Sequence, residues 1–247
     1  MRFRLKAFSL HLLSSAVALT LILGSLYLGW YRWPGWYLAD VTRVVLVMVC
    51  VDVVLGPTLT FIIANKNKPR RELVRDIGII VVVQLCALVY GSISLWNGRP
   101  LYYAFSQNAL SLVQAYDIDA EQANLGRQQN PELAPHWYSL PRWVFVPLPE
   151  DAKERQKIAG TGDDVISLPK YYKPWDLGLA SLRRQLRKAG ELSFFIPSEK
   201  RKLKQRMDAA GLSSDGTNSI PFTGRSRPLL AVFDPATLKI TATLKAN

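Results

Sequence analysis

Histidine and cysteine are nearly missing from this 247-residue chain, which has two of each. Cys50 and Cys86 both lie inside long apolar runs, which excludes a disulfide framework, and a thiol-free remainder suits an oxidising compartment. No His, Cys or Asp spacing matches a metal site. There is no HExxH, no Gly-rich phosphate loop and no nucleophile elbow. The sequence therefore offers no catalytic set, no metal and no cofactor, and a catalytic role is not expected.

Charge is missing too, in three long windows. Residues 7–31 and 77–98 carry no Asp, Glu, Lys or Arg, and residues 44–65 carry only Asp52. A 22-residue helix rises about 33 Å, enough to cross a hydrocarbon core of about 30 Å. The sequence predicts transmembrane helices at about 8–31, 44–65 and 77–97. The first run follows a basic leader, Arg2, Arg4 and Lys6, as a signal peptide would. It is too long for a signal-peptide core, and Leu28-Gly29-Trp30-Tyr31 makes a poor cleavage site.

The leader and the loop with Lys66, Lys68, Arg70, Arg71 and Arg75 are far more basic than the loop with Arg32 and Arg43. The positive-inside rule puts the N-terminus and the 66–76 loop in the cytoplasm and the chain after the third helix outside. Trp30, Tyr31, Trp33, Trp36 and Tyr37 read as an interfacial aromatic belt on the outer side. The expected organisation is a membrane domain, 1–97, and an outer domain, 98–247. Net charge is +12, half of it in the membrane part, where it reports topology. Nucleic-acid binding is a poor reading.

In the outer domain, Leu101–Phe105 and Leu110–Tyr116 flank Ser106-Gln107-Asn108 as a β-hairpin. A short helix is expected over Asp117–Arg127, a strand over Trp143–Val146 and a polar helix over Glu150–Ala159. Asp176 should cap a helix ending before Gly190, with Leu182 and Leu186 on its inner face. Ser198 and Gly211 bracket another helix, striped by Leu203 and Met207. A strand over Leu229–Phe233, a turn at Asp234–Thr237 and an alternating strand Leu238–Leu244 finish the chain. The fold class expected is a three-helix membrane domain plus a small α+β domain whose antiparallel sheet draws on both ends of the segment. Gly160–Asp164 reads as a polar loop with solvated acids. The basic run Glu199–Arg206 is the wet face of a helix, or a surface for an anionic head group or acidic partner.

Asp52 stands apart. A carboxylate at mid-membrane must be neutralised, paired or facing a polar cavity. Gln84, near mid-span of the third helix, is its natural partner, and a bond between them would fasten the second helix to the third. The functional reading is a polar handle for another membrane helix. A proton relay is weaker, since no second titratable group is expected at that depth. Pro57 cannot donate to the carbonyl of Val53, so the helix should kink there, with Thr58 or Thr60 satisfying the freed carbonyl. Gly56 leaves a notch one turn beyond Asp52. Acid, notch and kink together suggest a docking groove.

Several motifs resemble a known family. The leader with Lys6-Ala7-Phe8 and His11-Leu12, the run Asp52-Val53-Val54-Leu55-Gly56-Pro57 with Thr60, Asp76 with Gln84, Leu88-Val89-Tyr90-Gly91, and Arg99-Pro100 running into Phe105 resemble type IV pilin accessory proteins of the TfpX/TfpZ family. The likeness is close over residues 1 to about 106. Beyond that it is limited to the hairpin, some Pro-containing loops and the terminal strand pair. It implies a multi-pass protein of a Gram-negative inner membrane with a periplasmic domain, in contact with membrane lipid. Its expected partner is the type IV major pilin or the pilus assembly platform. It brings no catalytic residue. The candidate partner-binding residues are Asp52, Gly56, Pro57, Thr60, Gln84, Tyr90 and Arg99. The rival readings are a membrane-anchored envelope-binding or signalling module and a pilin-modifying membrane enzyme.

Overall fold

The computed structural model describes residues 1–161, 164–216 and 218–245. It forms two compact units, one of residues 1–32 with 40–98 and the other of residues 33–39 with 99–247.

The first unit is helical. Its helices α1 (Arg2–Gly29), α2 (Thr42–Ile63) and α3 (Arg70–Asn97) are each long and apolar enough to cross a membrane. Sequence explains the ends. Arg4 donates from Nε to the carbonyl of Ala64 just past α2, 2.9 Å away, placing a cation at a helix C-terminus. Pro69 opens α3 from an extended conformation. Lys68 pairs with Asp76, nearly two turns into that helix. At the opposite end Trp30 meets Trp96 edge-on at 5.1 Å, and the Tyr31 hydroxyl donates to the carbonyl of Leu95, 2.7 Å away. Gly91 admits Met48 of α2, whose sulfur would lie 2.6 Å from any Cβ there.

The second unit is built on a seven-stranded sheet: β1 (Pro100–Ser106), β2 (Ala109–Gln114), β3 (Arg142–Phe145), β4 (Lys173–Pro174), β5 (Ser219–Thr223), β6 (Leu229–Phe233) and β7 (Ile240–Lys245). The order is β4-β3-β1-β2-β5-β6-β7, so both ends of the segment do meet in one sheet. The sheet is mixed, which corrects the antiparallel expectation. β1 pairs with β3 and β2 with β5 in parallel. Hairpin turns can only give antiparallel neighbours, whereas the long connections before β3 and β5 allow the chain to cross over. β5 was not foreseen, because Pro221 reads as a strand breaker. It is tolerated where the short pairing with β2, confined to Phe222 and Thr223, has already stopped.

The other helices are α4 (Ala120–Gln129), α5 (Ala152–Thr161), α6 (Leu179–Gln185) and α7 (Pro197–Ala209). The α4 cap is Asp119, which accepts from the Gln122 amide at 2.7 Å, and not Asp117, which turns back to accept from Gln114 at 2.8 Å. Asp176 is not the cap of α6, whose N-cap is Gly178. It sits in a 3-10 turn, Trp175–Gly178, drawn onto the sheet by Trp175 against Trp143 (5.1 Å) and by Gly178 against Phe145. α6 ends at Gln185 because Arg187 bridges to Ser219 through two backbone bonds of 2.9 Å. Leu203 and Met207 of α7 are buried against Leu230 and Val232. Gly160 and Thr161 finish α5, and Asp164 accepts from the Ile166 amide. Gly162 and Asp163, part of the expected polar loop, lie outside the described residues.

One sheet face packs Tyr102, Ala104, Val113 and Val144 against Val165 and Tyr172. The other is aromatic: Tyr103 meets Trp143 at 4.8 Å and Phe222 at 5.7 Å. Residues 33–39 pack with this unit. The carbonyl of the fully buried Leu38 accepts from Arg225 (2.7 Å) and Ser226 (3.2 Å), and the Trp33 indole donates to Thr243 of β7. Lys245 sits over Trp33 and Tyr37 at 5.5 and 4.5 Å. Trp33 and Tyr37 are thus bound to a strand, not held only as the belt residues the sequence suggests. An aromatic side chain can serve a lipid interface or a sheet equally well, and the local sequence does not say which.

Candidate functional site

The middle of α2 departs from α-helical geometry, in a way the proline explains. Cys50–Leu55 form a π turn, and the Gly56 amide donates to the carbonyl of Val51, five residues back. In that register the next carbonyl, that of Asp52, would take its proton from residue 57. Residue 57 is proline and has none. Gln84 of α3 fills the gap, its Nε2 donating to the Asp52 carbonyl at 3.1 Å and more distantly to Val51 at 3.4 Å. The orphan is therefore the Asp52 carbonyl and not the Val53 carbonyl that α-helical register implies. Thr58 donates to Val54, 2.6 Å away, and Thr60 is engaged elsewhere.

Gly56 makes this arrangement possible. A Cβ there would fall 2.1 Å from Gln84 Nε2 and 2.3 Å from its carbonyl oxygen. The notch that the sequence offers to a partner helix is occupied by the chain's own third helix. Gly56, Pro57, Thr60 and Gln84 are all buried.

The Asp52 carboxyl lies near both Gln84 and His11. The residue is 4% exposed, and its Oδ2 has no hydrogen-bond partner among the described residues; neither has Gln84 Oε1. Both belong to the wall of a groove of about 430 Å³ between α1 and α3. Apolar Leu10, Ala18, Val81, Leu85 and Leu88 line it together with Ser14. His11 also lines it, which corrects the expectation that no second titratable group would stand near Asp52. His11 Nδ1 lies 2.6 Å from Thr60 Oγ1, and one turn earlier Phe8 meets Phe61 edge-on at 6.1 Å, fixing the register of α1 on α2. His11 was legible as a residue but not as a neighbour, since sequence spacing along one helix does not reveal which partner helix it meets.

Two of the seven candidate residues lie apart from this cluster. Tyr90 is 79% exposed on α3 and does not line the groove. Arg99 belongs to the second unit, where its guanidinium donates to the carbonyl of Trp137 at 3.0 Å. Chemically the groove is an apolar trough with a carboxyl, an amide oxygen, an imidazole and hydroxyls at its base. Such a site can accept a hydrogen bond from a donor carried on an apolar body. Among the described residues no group of three or more His, Cys, Asp or Glu could hold a metal ion.

No family model matches the chain, and no solved structure matches it. Its sequence is similar to that of a fimbrial assembly protein, serogroup I, of Dichelobacter nodosus, 23% identical over 94% of this chain and 91% of the relative. Another relative from the same organism, the fimbrial assembly protein of serogroups C1 and C2, is 28% identical over 47% of this chain and 88% of its own length. The likeness is not confined to the membrane helices: the fimbrial assembly protein of serogroup E1 from that organism is 24% identical over 237 residues, 94% of this chain and 91% of the relative.

Proposed function

We propose that this protein is a non-enzymatic accessory factor for type IV pilus assembly, of the TfpX/TfpZ kind. It holds the major pilin in the membrane and presents it to the pilus assembly platform. The observation that carries this reading is the groove between α1 and α3, with two buried acceptor atoms, Asp52 Oδ2 and Gln84 Oε1, that lack a donor. A membrane segment that brings an N–H, O–H or ammonium group to that depth gains a bond that lipid cannot supply. The names of the relatives supply the context, fimbrial assembly. In this reading the cluster of an acid, an imidazole and hydroxyls positions a partner and does not react with it. The expected setting is a bacterial inner membrane, with the N-terminus cytoplasmic and the second unit periplasmic.

The test is site-specific photo-crosslinking in the native host. Crosslinkers at Ser14 and Leu85, which line the groove, should capture the pilin, while one at Val83, exposed on α3 outside it, should not. Equal capture from all three positions, or none, would retire the docking reading. Deleting the gene should lower surface pili without changing the mass of membrane-pool pilin. A mass shift would favour a pilin-modifying enzyme instead.

A further inference from the structure

The charges of the basic helix α7 are put to different uses. Leu203 and Met207 are buried against Leu230 and Val232, which fixes the rotation of the helix on the sheet. Arg206 then donates to the carbonyl of Lys245 in β7. Glu199, the acid of the first turn, pairs with Arg227 at 3.4 Å and accepts from the Ile196 amide at 3.2 Å. Lys200, Arg201 and Lys204 are left over. None of the three is ion-paired among the described residues.

These three cations line one cavity of about 380 Å³, together with Ala189, Ser214 and Asp215. The end of α7 explains how the cavity is built. Gly211 has φ +68°, the left-handed conformation that closes a helix, and the Leu212 amide donates to the Met207 carbonyl at 2.8 Å. The chain therefore turns back, and Ser214 and Asp215 come to line the same cavity as the first part of the helix.

A run of lysines on a helix is ordinarily a solvated face. Two features set this one apart. Lys200 and Lys204 stand on one side of the helix, about 6 Å apart along its axis, with Arg201 beside them. Like charges at that spacing destabilise a helix, and no acid lies within ion-pair distance to relieve them. The second feature is that they border a concavity, and Lys200 is half-buried.

The compactness of the cluster selects the anion. An extended acidic peptide presents carboxylates on one side only about every 7 Å, so a cavity of this size takes one of them. A terminal phosphoryl group gathers nearly two charges and three acceptor oxygens on one atom. It can meet all three cations and the Ser214 hydroxyl at once, through charge-assisted bonds.

We propose that the cavity lined by Lys200, Arg201, Lys204 and Ser214 is a binding site for a phosphomonoester or pyrophosphate group. Asp215, the one acid in its lining, works against a fully ionised phosphate. The site lies in the second unit, and its test does not depend on the pilin reading.

The experiment uses the full chain in phosphatidylcholine nanodiscs, titrated calorimetrically with inorganic pyrophosphate at physiological ionic strength. Binding at one site is expected. Lys204→Gln, and Lys200→Gln combined with Arg201→Gln, should each weaken it by about tenfold, the usual loss for a hydrogen bond to a charged group. Lys202→Gln makes the same change on the same helix outside the cavity and should leave binding nearly unchanged. Asp215→Asn should tighten it several-fold. Discs with phosphatidic acid distinguish the source of the phosphate. Weaker pyrophosphate binding there than in phosphatidylglycerol discs would assign the cavity to a lipid headgroup, and equal binding would assign it to a soluble phosphate. No pyrophosphate binding, an equal loss from Lys202→Gln, or weaker binding by Asp215→Asn would overturn the site. If the Gln variants fail to fold, the unaltered protein decides. Pyrophosphate should raise its unfolding midpoint and acetate at equal ionic strength should not, whereas equal shifts would overturn the proposal.

Discussion

Gln84 donates its side-chain amide to the backbone carbonyl of Asp52, 3.1 Å away across the α2–α3 contact. This bond replaces the one that Pro57 cannot make, so a side chain of α3 completes the backbone of α2. An unsatisfied carbonyl in hydrocarbon costs several kcal/mol, which is why a kinked or π-turned helix survives in a membrane only beside a neighbour that can donate.

Gly56 and Gln84 should therefore behave as a unit. Gly56→Ala places a methyl on the Gln84 amide and should destabilise the helical unit by about 1–3 kcal/mol, the usual range for overpacking. Gln84→Leu should cost about 1–2 kcal/mol through the lost interhelical bond. Gly24→Ala and Gly78→Ala, where a Cβ meets nothing within 4 Å, should change stability by less than about 1 kcal/mol. Unfolding in mixed micelles measures all four, and the double variant Gly56→Ala, Gln84→Leu should cost less than the sum of its parts.

The three long helices were legible because each is built on a window without charge, or with Asp52 alone, that no soluble core needs. Hairpins were legible for a similar reason: the Ser106–Asn108 and Asp234–Thr237 turns are local chemistry. In the second of these, the Asp234 carboxylate accepts from the Ala236 amide at 2.9 Å and the Thr237 hydroxyl at 2.8 Å. What depends on distant partners was not legible. Gly56 could be seen as a gap but not as a gap filled by Gln84, and His11 could be seen but not placed beside Thr60. The direction of β3 and β5 was hidden in long crossings, and Pro221 masked a strand that tertiary pairing supports. Trp33 and Tyr37 looked like lipid-facing residues until Thr243 and Lys245 were brought to them.

That last pairing yields a second prediction. Gly224 lies so close to residues 33–39 that a Cβ would fall 2.5 Å from the Leu38 carbonyl oxygen, the acceptor of the Arg225 and Ser226 amides. Gly224→Ala should loosen residues 33–39 from the sheet at a cost of about 1–3 kcal/mol. Trp33→Ala, which removes the Thr243 bond, should do the same more mildly. Limited proteolysis should cut between Trp33 and Ala39 faster in both variants, and unchanged cutting would mean that the segment does not depend on these contacts.

Alkaline titration tests the sheet core. Burial is the main reason the Tyr103 phenol is pushed up to about 12, with a bond to the Gly35 backbone working weakly against it. Burial likewise raises Tyr102 and Tyr172. A folded phenol that holds its proton when the unfolded one has lost it makes stability fall as pH rises. For Tyr103 the fall should lie between about pH 10, the ordinary tyrosine value, and pH 12. Absorbance at the phenolate band should show a late-titrating set, and Tyr103→Phe should shrink it while the early set stays unchanged.

Topology is tested by reporters active only outside the cytoplasm. The Lys66–Arg75 loop and the Arg2–Lys6 leader are basic and the segment between α1 and α2 is not, so fusion after Asn97 should be active and fusion after Lys68 silent. A fusion at Asn247, which lies outside the described residues, should match the first. The reverse pattern would place the second unit in the cytoplasm and would remove the pilin-presenting role with it.

Asp52 decides between a clasp and a docking groove. If it only braced α2 against α3, its carboxyl would not matter, because Gln84 already bonds to the backbone carbonyl beside it. Asp52→Asn keeps the volume and removes the charge, so it should accumulate normally in the membrane. We expect it to lower surface pili several-fold all the same, because an ammonium or N–H donor from a partner would lose its acidic acceptor. Gly56→Leu cannot serve as the companion test, since it would drive a side chain into Gln84 and lower the amount of folded protein. Filling the groove from its open walls can. Ser14→Leu and Leu85→Trp change residues that line the trough without touching the Asp52–Gln84 bond. Both should lower surface pili at unchanged protein level. Normal pilus display by Asp52→Asn together with both filled-groove variants would leave Asp52 as a buried acid inside a structural helix bundle.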